Sequence, residues 1–312
     1  MSIITAPDRA STGIAPVREV SRPAPRFEDV PINKRHWVWE AFDEVAIRAN
    51  RILDRIPVFR MAHDRVLRGM EVVEIELDVP KSQAGLDGLR LAFASDLHAG
   101  SYLDEKRISN LFGRIRMLEP DLLCLGGDLV NSRLKEVKLY ERALADHQFR
   151  YGIYAVAGNH DRRWARDIGV WQDFFEDRGV KILANHGERL EHGGASVWIG
   201  GVDDYSDGAP DVGCALRGRE DGECTVMLAH QPDHFVDIAP HGVDLVLSGH
   251  THAGQVRPFG QAWICHTKHG LLEGGYEREG SRLHVSRGAG LTILPVRWNA
   301  RPEITMVTFR SR

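Results

Sequence analysis

From Met70 onward, short apolar runs alternate with amphipathic stretches, so the hydrophobic pattern switches repeatedly between strand-like and helix-like spacing. Leu89–Ala94, Leu122–Leu125 and Ile153–Ala157 are apolar runs of strand length, each followed by a serine or a glycine. Between and after them, Ile108–Leu118, Lys135–Leu144 and Trp164–Phe175 carry apolar residues at helical spacing. Pro120 closes the first of these helices. Further strands are predicted near Ser196–Ile199, Thr225–Leu228, Val243–Leu247, Leu283–Val285 and Ile304–Phe309. Val72–Val79 alternates apolar and acidic residues, which predicts a half-exposed edge strand. Strands and helices in this alternation predict a mixed α/β sandwich, with helices covering the sheets.

The first 70 residues follow other rules. Residues 1–32 carry Pro7, Pro16, Pro23 and Pro25 among small and charged residues, a composition that predicts a disordered tail. Residues 33–70 turn helical. Trp39, Phe42, Ala46, Ala49, Leu53 and Ile56 form one apolar stripe, and Pro57 should end or kink that helix. The stripe suits a helix packed on the main domain or on a second copy of the chain. A peripheral membrane contact through residues 33–70, with Trp37 and Trp39 at the headgroups, is the second reading. The mixture of Arg48, Arg51 and Arg55 with Asp43, Glu44 and Asp54 weighs against it, because surface anchors are usually more purely basic. Residues 71–312 are then one large domain.

Five short strings fall at or just after predicted strands. They are Asp96-Leu97-His98, Gly126-Gly127-Asp128, Gly158-Asn159-His160-Asp161, Ala229-His230 and Gly249-His250-Thr251-His252. In open α/β sheets the binding crevice lies beyond the carboxyl ends of the strands. One rim could therefore collect Asp96, His98, Asp128, Asn159, His230, His250 and His252. Oxygen and imidazole donors without thiolate suit Mn, Fe, Zn or Co better than Mg or Ca. A carboxylate has two oxygens, so Asp128 could bridge two divalent metal ions. Such a pair supports in-line attack by a metal-bound hydroxide on a phosphate ester. His160, beside a candidate ligand but not required as one, is the candidate general acid. Asp161 either orients that imidazole or caps the following helix. Asp-x-His and a lone histidine are weak signals; the order of all five strings is the strong one.

Composition narrows the partners. Net charge is -4 and the pI about 6.4, which argues against nucleic acid. Cys124, Cys214, Cys224 and Cys265 form no C-x-x-C pair and read as reduced thiols. A Cys214–Cys224 bridge is the less favoured alternative. Met1 to Arg22 lacks the apolar core of a secretory signal, and no uncharged apolar run reaches the roughly 18 residues of a membrane span. A cytoplasmic protein, peripheral at the inner membrane if the helix is an anchor, is expected.

The strings resemble those of the calcineurin-like metallophosphoesterase superfamily over roughly residues 89–310. The resemblance implies an α/β fold, a four-layer α/β/β/α sandwich of mixed sheets. It implies one metal on Asp96, His98, Asp128 and His252, and a second on Asp128, Asn159, His230 and His250. His160 matches the superfamily's catalytic histidine. Gly201-Val202-Asp203-Asp204, Ser248-Gly249-His250-Thr251-His252-Ala253-Gly254-Gln255 and Ser286-Arg287-Gly288-Ala289-Gly290 resemble a bacterial phosphodiesterase branch. Members of that branch often carry an N-terminal membrane helix, where this chain has a polar tail and an amphipathic helix. The resemblance implies hydrolysis of a phosphodiester or pyrophosphate in a small or lipid-linked substrate. UDP-2,3-diacylglucosamine hydrolysis, phosphomonoester or phosphoprotein hydrolysis, and a non-catalytic metal-binding scaffold are the alternatives. Asn131 and Asp161 depart from the phosphoprotein phosphatase strings, and every expected ligand is present, which disfavours a scaffold. The loops Tyr205–Cys224 and Trp263–Tyr276 should set specificity. Lys268 and Arg257 could meet a substrate phosphate there, although solvated surface charge is the commoner role.

Overall fold

The computed structural model describes residues 18–19, 56–100, 102–145, 149–165, 168–262, 266–292 and 296–312. Most of the predicted tail, and the stripe from Trp39 to Leu53, lie outside the described residues.

Helix α1 runs Pro57–Arg68. Proline suits a first turn, where its missing N–H would have no helical partner. Arg65 and Arg68 in the last turn oppose the helix dipole. The helix docks on α2, Glu105–Met117, which Asp104 caps by accepting from the Arg107 N–H at 3.0 Å. Arg107 reaches across to Asp64 at 2.7 Å. His63 is wholly buried, its ring edge-on to Tyr102 at 5.6 Å. Among the described residues no helix is long and apolar enough to cross a membrane.

Among the described residues, thirteen strands form two mixed sheets. The first sheet contains β1 (Arg18–Glu19), β2 (Glu71–Val79), β3 (Arg90–Ala94), β4 (Leu122–Leu125), β5 (Ile153–Ala155), β6 (Val180–Ile182) and β13 (Glu303–Ser311). Its order is β1-β2-β13-β3-β4-β5-β6. Strands β3 to β6 are parallel to their neighbours, whereas β13 runs antiparallel to β3 and parallel to β2. The second sheet contains β7 (His186–His192), β8 (Ala195–Gly201), β9 (Cys224–Leu228), β10 (Leu245–Ser248), β11 (Gly274–Arg278) and β12 (Ser281–Val285), in the order β11-β12-β10-β9-β8-β7.

Alternation along each strand builds the layers. Along β4, Leu122 and Cys124 enter the core between the sheets, where they join Val197, Val226 and Leu245. Leu123 and Leu125 face the other way, onto Phe112 and Ile115 of α2 and Trp171 and Phe175 of α5, Ile168–Glu176. On the far side, Met227, Val246 and Leu283 pack under Phe235 and Ile238. The result is the expected α/β/β/α sandwich, and each buried leucine contributes about 1.5–3 kcal/mol.

One local expectation needs correction. Strand β2 pairs with β13 along all nine of its residues and, among the described residues, is covered on its outer side by β1 at Val73 and Glu74, so it is an open edge only beyond that pair. The helix expected over Trp164–Phe175 is present at every described residue, as α4 (Asn159–Ala165) and α5 on either side of residues 166–167, and Asn159 and His160 stand in a first helical turn. The helix expected over Lys135–Leu144 is present, as a tighter 3₁₀ stretch at Leu134–Tyr140 that continues into α3 at Glu141–Ala145. Cys214 and Cys224 are unbridged.

Burial lowers the His63 pKa to about 3, and the Arg107 charge adds to the effect. A histidine that must stay neutral to fold contributes stability fully present above its unfolded pKa of about 6.5 and lost as pH falls toward the folded value. Between pH 7 and pH 5 the loss should be about 2 kcal/mol. Urea unfolding at the two pH values should show it, and His63→Phe should flatten the difference.

Candidate metal centre

The five strings meet at one end of the sandwich. Asp96 follows β3, Asp128 follows β4, Asn159 opens α4 after β5, His230 follows β9, and His250 and His252 follow β10. The first three come from one sheet and the rest from the other, so the centre spans the gap between the sheets. Asp96, His98, Asp128, His250 and His252 have φ between 47° and 69°. Left-handed backbone costs a non-glycine residue roughly 1 kcal/mol or more, and persists only where the surroundings impose it. Here it turns each side chain inward immediately after a strand.

Two glycines make the close approaches. A side chain at Gly249 would collide with the Asp96 carboxylate and Ser95 Oγ, and one at Gly158 with the Asp128 carboxylate. In their absence Asp96 accepts from the His250 N–H at 2.9 Å and Asp128 from the His160 N–H at 2.8 Å.

The donor atoms form two adjoining groups. In the first, Nε2 of His98 and Nε2 of His252 are 3.0 Å apart, and Asp96 Oδ1 is 3.4 Å from the latter. In the second, Asn159 Oδ1 lies 3.2 Å from His230 Nε2 and 3.0 Å from His250 Nδ1. Asp128 Oδ2 belongs to both, at 3.6 Å from His98 Nε2 and 3.3 Å from His230 Nε2. His160 crosses the His98 ring edge-on at 4.5 Å. All seven predicted ligands and His160 are thus brought together.

Electrostatics suit a cation. Burial, with His160 nearby, holds His98 well below the usual imidazole range. Burial and His230 do the same to His250, and burial and Arg297 to His252. Neutral imidazoles are the metal-binding form. Burial opposes a charge on Asp128, yet His230 and His160 keep it well below the usual carboxylate range. Burial also opposes a charge on His230, which Asp128 nevertheless raises to about 10. Burial pushes Asp96 up to about 6. Two carboxylates and three electron-rich nitrogens aimed at common points, away from water, are costly unless a cation joins them. The residues present fit divalent metals.

Several supporting residues were not foreseen. Asp161 does not touch the His160 ring but does cap α4, its carboxylate reaching back to the Gly158 N–H at 2.9 Å, and it also accepts from Leu129 N–H at 3.1 Å and Val130 N–H at 2.9 Å. It staples the two loops that present Asp128 and Asn159. The Asn131 carbonyl holds His160 Nδ1 at 2.7 Å. Arg162, two residues after His160, is paired with Asp203 of the Gly-Val-Asp-Asp string, Nε to Oδ1 at 2.7 Å. Arg297 donates to the carbonyls of Arg287 at 2.6 Å and Gly290 at 2.7 Å, and its Nη2 lies 3.0 Å from His252 Nδ1. Arg257 is paired with Glu273, and Lys268 lies 5.5 Å over the Tyr205 ring.

A two-sheet sandwich with this cluster at its strand ends defines the calcineurin-like phosphoesterases. The chain belongs to that family, whose model matches residues 89–254. Over 223 residues it is 34% identical to an uncharacterized metallophosphoesterase of Helicobacter pylori strain J99, covering 69% of this chain and 58% of that protein. It is 30% identical over 253 residues to a transmembrane protein with metallophosphoesterase domain from Danio rerio, covering 77% of this chain and 57% of that protein. The chain thus spans less than two thirds of the length of these curated relatives. A dimetal phosphatase structure from Danio rerio aligns with 71% of this chain and 99% of its own, at 10% identity and a TM-score of 0.44.

Gly249→Ala should force the Asp96 loop out of place. Overpacking of this kind costs roughly 1–3 kcal/mol. The expected result is a lower melting temperature without metal, together with reduced metal content by elemental analysis.

Proposed function

We propose that the chain hydrolyses a phosphodiester or pyrophosphate in a small or lipid-linked substrate, using two divalent metals. The carrying observation is the shared position of Asp128 Oδ2, within 3.6 Å of a donor from each group. Asp96, His98, Asp128 and His252 would hold one metal, and Asp128, Asn159, His230 and His250 the other. When bound, the metals would lower the pKa of a water to roughly 7 and offset phosphate charge. The chain's own residues do the rest. Asn131 fixes one nitrogen of His160, which leaves Nε2 to give a proton to the departing oxygen. Asp161 keeps the bridging carboxylate and the His160 helix in register.

The arginines beside the centre are committed: Arg162 to Asp203, Arg257 to Glu273, and Arg297 to backbone carbonyls. A phosphomonoester dianion would want a further cation, whereas a diester carries a single charge. This supports the diester. The metal-loaded protein should therefore turn over bis-p-nitrophenyl phosphate faster than p-nitrophenyl phosphate, with activity abolished by chelation. Absence of turnover on any phosphoester defeats the proposal. His160→Ala should keep its metals and lose roughly 10²–10⁴ in kcat; metal loss would make it a ligand instead.

A lipid-linked substrate is favoured by exposed aromatics on the segment that follows His252 and on the loop tied to that segment. Phe259 is 101% and Trp298 61% exposed. Their loops are tied by Arg257 N–H to the Trp298 carbonyl and Trp298 N–H to the Gln255 carbonyl, both 2.9 Å. Apolar rings standing in water suit an acyl chain or the bilayer that holds it. Exposed Val58 and Met61 on α1, with Arg65 and Arg68, support peripheral contact through residues 33–70. The double variant Phe259→Ser, Trp298→Ser should lose activity on a vesicle-borne diester and keep it on bis-p-nitrophenyl phosphate. Equal activity on both would remove the lipid reading.

A further inference from the structure

One imidazole at the centre has no role in the reaction as derived. His266 lies in the loop between the Pro258–Gly260 turn and β11. Its ring stands edge-on to His250, with centroids 5.9 Å apart and planes at 73°. Its field also reaches His160 and Asp128. Among the described residues, the groups of donors close enough to share a metal ion do not include it. His98, His230 and His252 are at most 3% exposed, whereas His266 is half-buried. Its neighbour His250 is half-buried as well, so the two rings stand on the side of the centre that meets solvent.

The residues that follow it are held in place. Asp233, three residues after the candidate ligand His230, is 6% exposed. Its carboxylate accepts from Thr267 Oγ1 at 2.6 Å, Lys268 N–H at 2.7 Å and His269 N–H at 3.1 Å. Thr267 Oγ1 accepts in turn from the Leu271 N–H at 3.2 Å. One buried carboxylate thereby ties the residues following His266 to the segment that carries His230. Positional accuracy of this sort is what a substrate-contacting side chain requires.

We propose that His266 is a substrate-binding residue that donates a ring N–H to a phosphate oxygen of the ester, and that Asp233 is its positioning residue. The proposal rests on the phosphoester hydrolase reading for its substrate class. A hydrogen bond to a charged oxygen is strong enough for an effect of roughly 10- to 100-fold.

The test uses the full chain loaded with Mn. Inorganic phosphate binding is measured by calorimetry, turnover of bis-p-nitrophenyl phosphate by absorbance, and metal content by elemental analysis. His266→Ala should keep its metals, bind phosphate about tenfold more weakly and lose roughly 10- to 100-fold in kcat/KM. His266→Gln, which retains a donor, should recover part of both. Asp233→Asn should raise KM more than it lowers kcat. Metal loss in His266→Ala overturns the assignment, because the residue would then be a ligand. Unchanged phosphate binding and turnover in that variant also overturn it and leave the hydrolase reading intact. A wild type that binds phosphate through His266 but turns over no ester defeats the hydrolase reading alone. A wild type that does neither defeats both.

Discussion

The rest of the structure is arranged around two carboxylates held out of water at the strand ends. Asp96 and Asp128 are at most 2% exposed and close enough to influence each other's protonation. Burying like charges together is unfavourable unless donors and cations surround them. Backbone N–H groups of His250 and His160 supply part of that compensation, and His230 another part. The remainder is the attraction that recommends the centre to metals. Left-handed backbone at five of the seven donors is a further cost of the same arrangement.

Around the donors lies a layer of residues that fixes them in place. Asp161 joins the loops of Asp128 and Asn159. Asp203 holds Arg162 on the helix that opens with Asn159 and His160. Arg297 gathers the carbonyls of Arg287 and Gly290 beside His252. The Gly-Val-Asp-Asp and Ser-Arg-Gly-Ala-Gly strings, legible only as marks of resemblance, thereby gain a physical role. Each keeps one sheet's contribution aligned with the other's, and small shifts in donors around a metal commonly cost affinity.

The strand ends were legible because their chemistry is consecutive. Leu122–Leu125 followed by Gly126-Gly127-Asp128 declares a buried strand, a tight approach and a carboxylate in seven residues. What stayed hidden depends on distant partners. Asp161 finds its donors near Leu129 and Val130, some thirty residues back. His266 lies in a loop without periodic pattern, and only Asp233 shows that it is held in place. Strand β7, His-Gly-Glu-Arg-Leu-Glu-His, was missed because an edge strand with few buried side chains lacks apolar alternation. Strand β11, Gly-Gly-Tyr-Glu-Arg, was missed for the same reason.

Strand β13 carries a consequence for the nascent polypeptide. It inserts between β2 and β3, matching Glu303 to Glu71 and Ser311 to Val79. Its first residue, Glu303, binds His284 at 2.9 Å and Arg287 at 2.7 Å, and the Arg287 carbonyl seats Arg297. Domains emerge from the ribosome amino end first, and pairing over such separations is slow. The Asp and His strings are therefore translated well before the strand that completes the platform beneath them. Vectorial synthesis would leave the donors without that platform until β13 has been made.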